Sequence, residues 1–201
     1  MDELERQWPA LLADQTQIRD RLLAAYGSPD RGYHDLRHLA EVIERVHEII
    51  AAERPEVDVD GVLLAAWFHD AVYEADAEDE ERSALLAERE LATVGAPDTL
   101  VDEVARLVRL TATHKPDARD LAGQVLCDAD LAILAAGEQR YRQYVDGVRR
   151  EYAHLSDDEF QQGRAAVLRT LLDKPTLFAT GYARRHWENA ARANVTRELA
   201  G

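Results

Sequence analysis

The stretch that decides the fold is VLLAAWFHDAVYE, residues 62–74. Its first seven residues, 62–68, are all apolar and leave no polar face, which is typical of a central, buried helix. His69 and Asp70 follow directly, inside a helix that we predict over 59–73. A buried carboxylate costs several kcal/mol unless it is paired, neutralised or bound to a cation. The stretch therefore predicts a helical core that carries either a structural ion pair or part of a metal site.

Apolar residues recur at helical spacing on both sides of this stretch, and no segment shows sustained strand alternation. Gly95 is predicted to end a helix, Asp98 to cap the N-terminus of the next, and Ser156 with Glu159 to form a capping box. The Gly and Pro residues that interrupt the apolar pattern indicate an all-α fold, a compact bundle of about seven to nine helices. The predicted helices cover 9–26, 35–53, 59–73, 79–94, 98–113, 119–136, 138–153, 157–173 and 182–199.

The composition predicts a single domain over residues 1–201, with 46% hydrophobic residues, 10 Gly and 6 Pro. A net charge of -15 argues against a nucleic-acid polymer as partner, because affinity for such polymers comes largely from Lys and Arg. A small phosphate ester remains compatible, since salt screens distant surface charge over roughly 8 to 10 Å. The chain shows no signal-peptide pattern and no membrane-length apolar run, and its single cysteine, Cys127, reads as a buried thiol. These features predict a cytoplasmic protein that does not bind a membrane.

The His-Asp dipeptide occurs twice. In the first copy Asp35 reads as a helix cap after a loop, whereas the second copy lies at the end of the apolar helix. Adjacent helical residues diverge by about 100°, so His69 and Asp70 supply only one side of a coordination sphere. His38 and Asp130, each on an apolar helical stripe, are candidates for the other ligands.

Three segments carry a resemblance to a known family: Tyr33-His-Asp-Leu-Arg-His38, Trp67-Phe-His-Asp-Ala-Val-Tyr73 and Cys127-Asp-Ala-Asp-Leu131. Together they resemble the HD superfamily of metal-dependent phosphohydrolases. The chain is also similar to a subgroup of uncharacterised predicted HD phosphohydrolases, which share a related Ala-Arg-Ala-Asn194 region. The resemblance implies an HD-type helical domain with its metal core at 33–135 and the helices of 138–200 packed on it. It also implies that one divalent ion is held by His38, His69, Asp70 and Asp130.

Two departures from the superfamily restrict what can be inferred. Its stringent-response nucleotide hydrolases carry Glu-Asp where this chain has Tyr73-Glu74, so their substrate is not implied here. Its two-metal members use two extra histidines between the second and last ligand, where this chain has only His114, so one metal is favoured. Two imidazoles and two carboxylates suit Mn²⁺, Fe²⁺, Co²⁺, Ni²⁺ or Zn²⁺ better than Mg²⁺ or Ca²⁺.

We expect the protein to hydrolyse a phosphorylated small molecule, with a nucleotide as the favoured class, through a metal-activated water. Asp70 and Glu74 are the predicted catalytic residues, with Glu74 either a general base or an ordinary solvent-facing glutamate. Two alternatives stay open: a non-catalytic regulatory domain that binds metal and nucleotide, and a helical interaction protein with ordinary buried polar groups. A homodimer is also possible. The predicted substrate-binding residues are His34, Arg37, Arg82, His114 and Lys115.

Overall fold

The computed structural model describes residues 2–200, and every regular element within them is helical, as the apolar periodicity predicts. The α-helices are α1 (Asp2–Arg6), α2 (Thr16–Tyr26), α3 (Leu36–Glu53), α4 (Val59–Phe68), α5 (Asp79–Thr93), α6 (Asp98–Thr111), α7 (Leu121–Leu131), α8 (Glu138–Glu151), α9 (Asp157–Leu172), α10 (Gly181–His186) and α11 (Glu188–Ala200). Two short 3-10 segments, Ala10–Leu12 and Ala132–Ala135, complete the described elements. The eleven α-helices of the described residues exceed the predicted seven to nine, because α1 was not predicted and the helix predicted over 182–199 is divided at Trp187 into α10 and α11.

Helix α4 lies at the centre of the core. Every residue from Gly61 to Phe68 is buried, and the helix packs against α3, α5, α6 and α7. Each fully buried large apolar side chain contributes about 1.5 to 3 kcal/mol relative to exposure, so this helix is a major source of core stability. Trp8, from the N-terminal segment, packs edge-on against Trp67 with ring centroids 5.0 Å apart. The prediction of a buried central helix is confirmed.

Helix α4 ends at Phe68, so the predicted extension of this helix to residue 73 is wrong. The Arg31 guanidinium donates hydrogen bonds to the carbonyl oxygens of Asp70, at 2.7 Å, and Ala71, at 3.0 Å. The backbone N–H of Asp70 donates to the Tyr26 hydroxyl at 3.1 Å. Because these groups satisfy the backbone polar atoms that a continuing helix would have used, His69 and Asp70 lie in a turn.

The predictions for other helix ends are confirmed at two positions and wrong at a third. The Ser156–Glu159 capping box is present, and Gly95 adopts a φ of 74° in a Schellman-type stop after α5. Asp98 is the first residue of α6 rather than its N-cap, because Pro97 takes the cap position. Cys127 is a buried free thiol, as expected.

The C-terminal helices join the same hydrophobic cluster as α3 and α4. Asn194 on α11 donates from Nδ2 to the carbonyl oxygens of Leu134 and Ala136, both at 2.9 Å. Asp128 on α7 accepts hydrogen bonds from the backbone N–H groups of Ala179 and Thr180, which lead into α10. These contacts fix the C-terminal part against α7 and its 3-10 extension. Among residues 2–200, none of the helices combines the length and the apolarity needed to cross a bilayer.

Candidate metal centre and adjoining cavity

Three helices deliver four polar side chains to one point. Asp35 caps α3 by accepting from the N–H groups of Arg37 and His38, which places His38 in the first turn of that helix. His69 follows the last residue of α4 and Asp70 comes next. Asp130 lies in the last turn of α7. The helix ends thus bring together residues that are far apart in sequence.

The donor atoms of these side chains are closely spaced. The Nε2 atoms of His38 and His69 are 3.1 Å apart, and Asp70 Oδ2 lies 3.2 Å from the first and 3.1 Å from the second. Asp130 Oδ1 lies 3.3 Å from His38 Nε2 and 3.7 Å from His69 Nε2. Both histidines are at most 2% exposed. The structure therefore places all four predicted ligands in a single buried cluster.

This cluster has the donor set of a transition-metal site. His38, His69 and Asp130 each offer one ligand atom within 4.8 Å of the other two, so the three can hold a metal ion. Ligand atoms that share a divalent ion at about 2.1 Å are themselves about 3.0 to 3.4 Å apart in octahedral or tetrahedral geometry. Most of the separations in the cluster match that spacing. Asp70 contacts both Nε2 atoms, but it is not among the three residues whose ligand atoms all lie within 4.8 Å of one another, so its place as a fourth ligand stays a prediction.

The histidines and aspartates of the cluster shift one another's pKa values and so determine their protonation states. Burial lowers the pKa of His38, but hydrogen bonds to Asp130 and Asp70 outweigh it and raise that pKa to about 10. Burial opposes ionisation of Asp130, yet hydrogen bonds from His114 and His38 keep its pKa well below the usual range. Imidazole coordinates metals in its neutral form, so a bound cation must displace these protons. Metal affinity is therefore expected to fall as the pH falls.

Neighbouring groups orient the cluster. His69 Nδ1 donates to the carbonyl oxygen of Ala66 at 2.8 Å, which leaves Nε2 as the nitrogen able to coordinate. Asp130 uses its second oxygen, Oδ2, to contact Nε2 of His114 at 2.7 Å. His114, predicted to bind substrate, thus lies beside the cluster. Tyr26, fully buried on α2, supports the Asp70 backbone as described above.

The loop before α3 is held by Glu151, a residue that no local sequence pattern indicated. One oxygen of Glu151, Oε1, accepts from the N–H groups of Gly32, Tyr33 and His34 at 2.7 to 2.9 Å. Its other oxygen lies 2.8 Å from His34 Nδ1. Burial opposes ionisation of Glu151, but these hydrogen bonds lower its pKa to about 2. The carboxylate therefore orients the His34 ring, which stacks on Tyr73 with centroids 4.0 Å apart.

Two glycines allow this loop to lie directly on α8. A Cβ atom added to Gly32 would fall 2.2 Å from the carbonyl oxygen of Gly147, and one added to Gly147 would fall 2.7 Å from that of Gly32. Both distances are shorter than any real contact of a Cβ atom with a carbonyl oxygen. The close approach sets the position of His34 relative to Glu151.

A cavity of about 460 Å³ adjoins the cluster. Asp70, Asp130, His34 and His114 line it, together with side chains of α8 and α9 and the segment between them. The volume falls in the range of about 300 to 1,000 Å³ that is usual for small-molecule sites. The C-terminal helices therefore form part of the cavity wall as well as closing the core.

The remaining predicted site residues lie on the surface. Glu74 is 69% exposed and pairs with Arg82 at 2.8 Å. Arg37 is 53% exposed and is engaged by Glu41 and Gln143. Lys115 is exposed. The structure does not bring these four residues to the cavity wall described above.

Glu80 and Tyr33 also line the cavity, and neither was among the predicted site residues. Burial and the nearby carboxylates of Asp70 and Asp79 raise the pKa of Glu80. The Tyr33 hydroxyl is buried and has no hydrogen-bond partner among the described residues. Glu80 lies in the acidic run of residues 76–81, and only tertiary packing places it on the cavity wall.

Comparisons of the chain with protein-family models, with curated proteins and with solved structures found no match. The resemblance to HD phosphohydrolases therefore stays a prediction based on the motifs.

Proposed function

We propose that this protein is a metal-dependent phosphohydrolase of the HD type, acting on a phosphorylated small molecule. The observation that carries the proposal is the convergence of His38, His69, Asp70 and Asp130 beside a cavity of ligand size. A cluster of buried ion pairs without a ligand would not need such a cavity at its side. When bound, a divalent cation supplies a water nucleophile at neutral pH and offsets charge on the phosphoryl group.

Two histidines are placed to handle protons and substrate oxygens. His34 is held through Nδ1 by ionised Glu151, so Nε2 is the nitrogen that remains for a substrate or a leaving oxygen. His114 contacts Asp130 and is 21% exposed in the cavity. Glu80, with its raised pKa, is better placed than Glu74 to exchange a proton with a ligand in the cavity. We therefore assign proton transfer to His34, His114 and Glu80 as a group.

The test compares two carboxylates on the same helix. Asp130→Asn removes a cluster oxygen, whereas Asp128→Asn changes a buried acid that holds the segment before α10 and makes no contact with the cluster histidines in the described residues. We expect wild type and Asp128→Asn to bind about one Mn²⁺ or Co²⁺ per folded chain and to release phosphate from a panel of phosphate esters and nucleotides. We expect Asp130→Asn to lose at least about 100-fold in metal affinity.

Metal content of the folded fraction and phosphate release are the two measurements. Equal metal binding by wild type and Asp130→Asn would contradict the metal site. A bound metal with no turnover across the panel would instead favour the non-catalytic regulatory domain, since ligands and fold do not guarantee chemistry.

A further inference from the structure

We infer that the cavity takes a phosphate ester with a single phosphate and an apolar organic group, which lies along α9. The inference rests on the proposed function for the position of the phosphate. It adds the class of the group to which that phosphate is attached. Three features of the cavity wall support it: an apolar stripe on α9, a glycine within that stripe, and an excess of acidic over basic lining residues.

The apolar stripe belongs to α9. Phe160, Gly163, Val167 and Leu171 recur at helical spacing on this helix and all line the cavity. Val167 is 56% exposed, and Leu168 is the only residue of α9 that is fully buried in the described chain. The core thus covers the neighbouring face of α9. Phe160 and Leu171 are partly buried against it, whereas Gly163 and Val167, in the middle of the stripe, are exposed.

The glycine within the stripe is Gly163. Glycine inside a helix is unfavourable relative to alanine, because its backbone loses more freedom on folding. An atom added at the Cβ position of Gly163 would meet no other atom within 4 Å. Neither backbone conformation nor packing therefore requires glycine here. Its effect is to leave space in the cavity wall between Phe160 and Val167.

The charge balance disfavours a polyphosphate. Six carboxylates line the cavity: Asp70, Asp76, Asp79, Glu80, Asp130 and Glu159. Arg164 is the only lysine or arginine among the described lining residues, and its guanidinium is bound to Glu198. A divalent ion would offset Asp70 and Asp130, and Arg82 pairs with Asp76 and Asp79, which leaves Glu80 and Glu159 to repel additional phosphates. A nucleoside triphosphate needs several cationic partners that this wall does not offer.

An apolar group is the occupant that the stripe and the free space favour. Transfer of each methylene from water to an apolar wall strengthens binding by up to about fourfold. The other possible occupant, a second copy of this chain, would have to cover the stripe across a surface that also carries Glu159 and the neighbouring acids. Repulsion between two copies with a net charge of -15 each opposes that arrangement.

The test measures binding separately from turnover. Calorimetric titrations in the presence of Mn²⁺ compare hexylphosphonate with methylphosphonate, neither of which is hydrolysed. We expect wild type to bind hexylphosphonate at least about tenfold more tightly. Gly163→Phe, which fills the free space, is expected to reduce this preference to less than about threefold. Gly163→Ala adds one carbon and should keep most of it, and Leu85→Phe, exposed on α5 away from the cavity, should not alter it.

Each outcome separates this inference from the proposed function. Equal affinities of wild type for the two phosphonates would overturn the inference, even if phosphate esters are hydrolysed. A persistent preference in Gly163→Phe would also overturn it. A dimer that Val167→Glu dissociates, together with no hexyl preference, would assign the stripe to a second copy. Tight hexylphosphonate binding without hydrolysis of any ester would keep the inference and reject the hydrolase.

Discussion

The two His-Asp dipeptides have the same sequence and different tasks. In the first, Asp35 caps α3 and His34 is tied to Glu151. In the second, His69 and Asp70 both belong to the buried cluster with His38 and Asp130. The difference arises because the first pair precedes a helix and the second follows one. The dipeptide thus indicates chemistry only in combination with the helix end that carries it.

The largest contrast is expected when the aspartates of the two dipeptides are changed. Asp70→Asn should lower metal affinity and phosphate release by at least about 100-fold, because the side chain contacts both Nε2 atoms. Asp35→Ala should cost about 1 kcal/mol of unfolding free energy, through loss of the cap, and still bind metal. Metal titration and urea unfolding measure the two effects. Similar metal affinities in the two variants would remove the distinction between the dipeptides.

Acid pH is expected to destabilise the protein near the first dipeptide, because it protonates Glu151. The pKa of this carboxyl is about 2, below its ordinary value of about 4.5, so its ionised form stabilises the fold above that ordinary value. This stabilisation is lost as the pH falls from about 4.5 towards 2, and it amounts to about 2 to 3 kcal/mol. Glu151→Gln should therefore be less stable than wild type at pH 6, with a difference that shrinks towards pH 2. Urea unfolding as a function of pH tests this, and a constant difference would contradict it.

A smaller effect is expected where the loop of the first dipeptide lies on α8. Gly147→Ala forces a Cβ atom against the Gly32 carbonyl and should destabilise the protein by about 1 to 3 kcal/mol. Gly163→Ala, in an equally helical position without neighbours, should instead stabilise it by up to about 1 kcal/mol. Thermal unfolding of the two variants gives the sign of each effect. If both variants are stabilised, the loop does not depend on this close approach.

The smallest change in stability is expected at Tyr33, which precedes the first dipeptide. Its buried hydroxyl has no partner among residues 2–200, so Tyr33→Phe should alter unfolding free energy by less than about 1 kcal/mol. If the hydroxyl binds substrate in the cavity, kcat/KM should fall by about tenfold while stability is kept. Unchanged kcat/KM would exclude Tyr33 from substrate binding.

Part of the site was predictable because its signals are local. Apolar residues on several helices made His38, Asp70 and Asp130 conspicuous, since charge is costly in such surroundings. Glu151 escaped prediction because it lies 117 residues from His34, and no local pattern links them. Glu74 was predicted as a catalytic residue because a helix that continued past Asp70 would place it one turn away. The actual end of α4 exposes Glu74 and leaves Glu80 on the cavity wall.

The sequence by itself determined the helical class, the central position of α4, the Ser156 cap and the Gly95 stop, because these depend on periodicity and on backbone preferences of neighbouring residues. Tertiary structure alone decided where α4 ends, which carboxylate holds His34, and which face of α9 is left open. Those features depend on contacts between residues distant in the chain, such as Arg31 with the Asp70 carbonyl. Such contacts are fixed only when the helices pack.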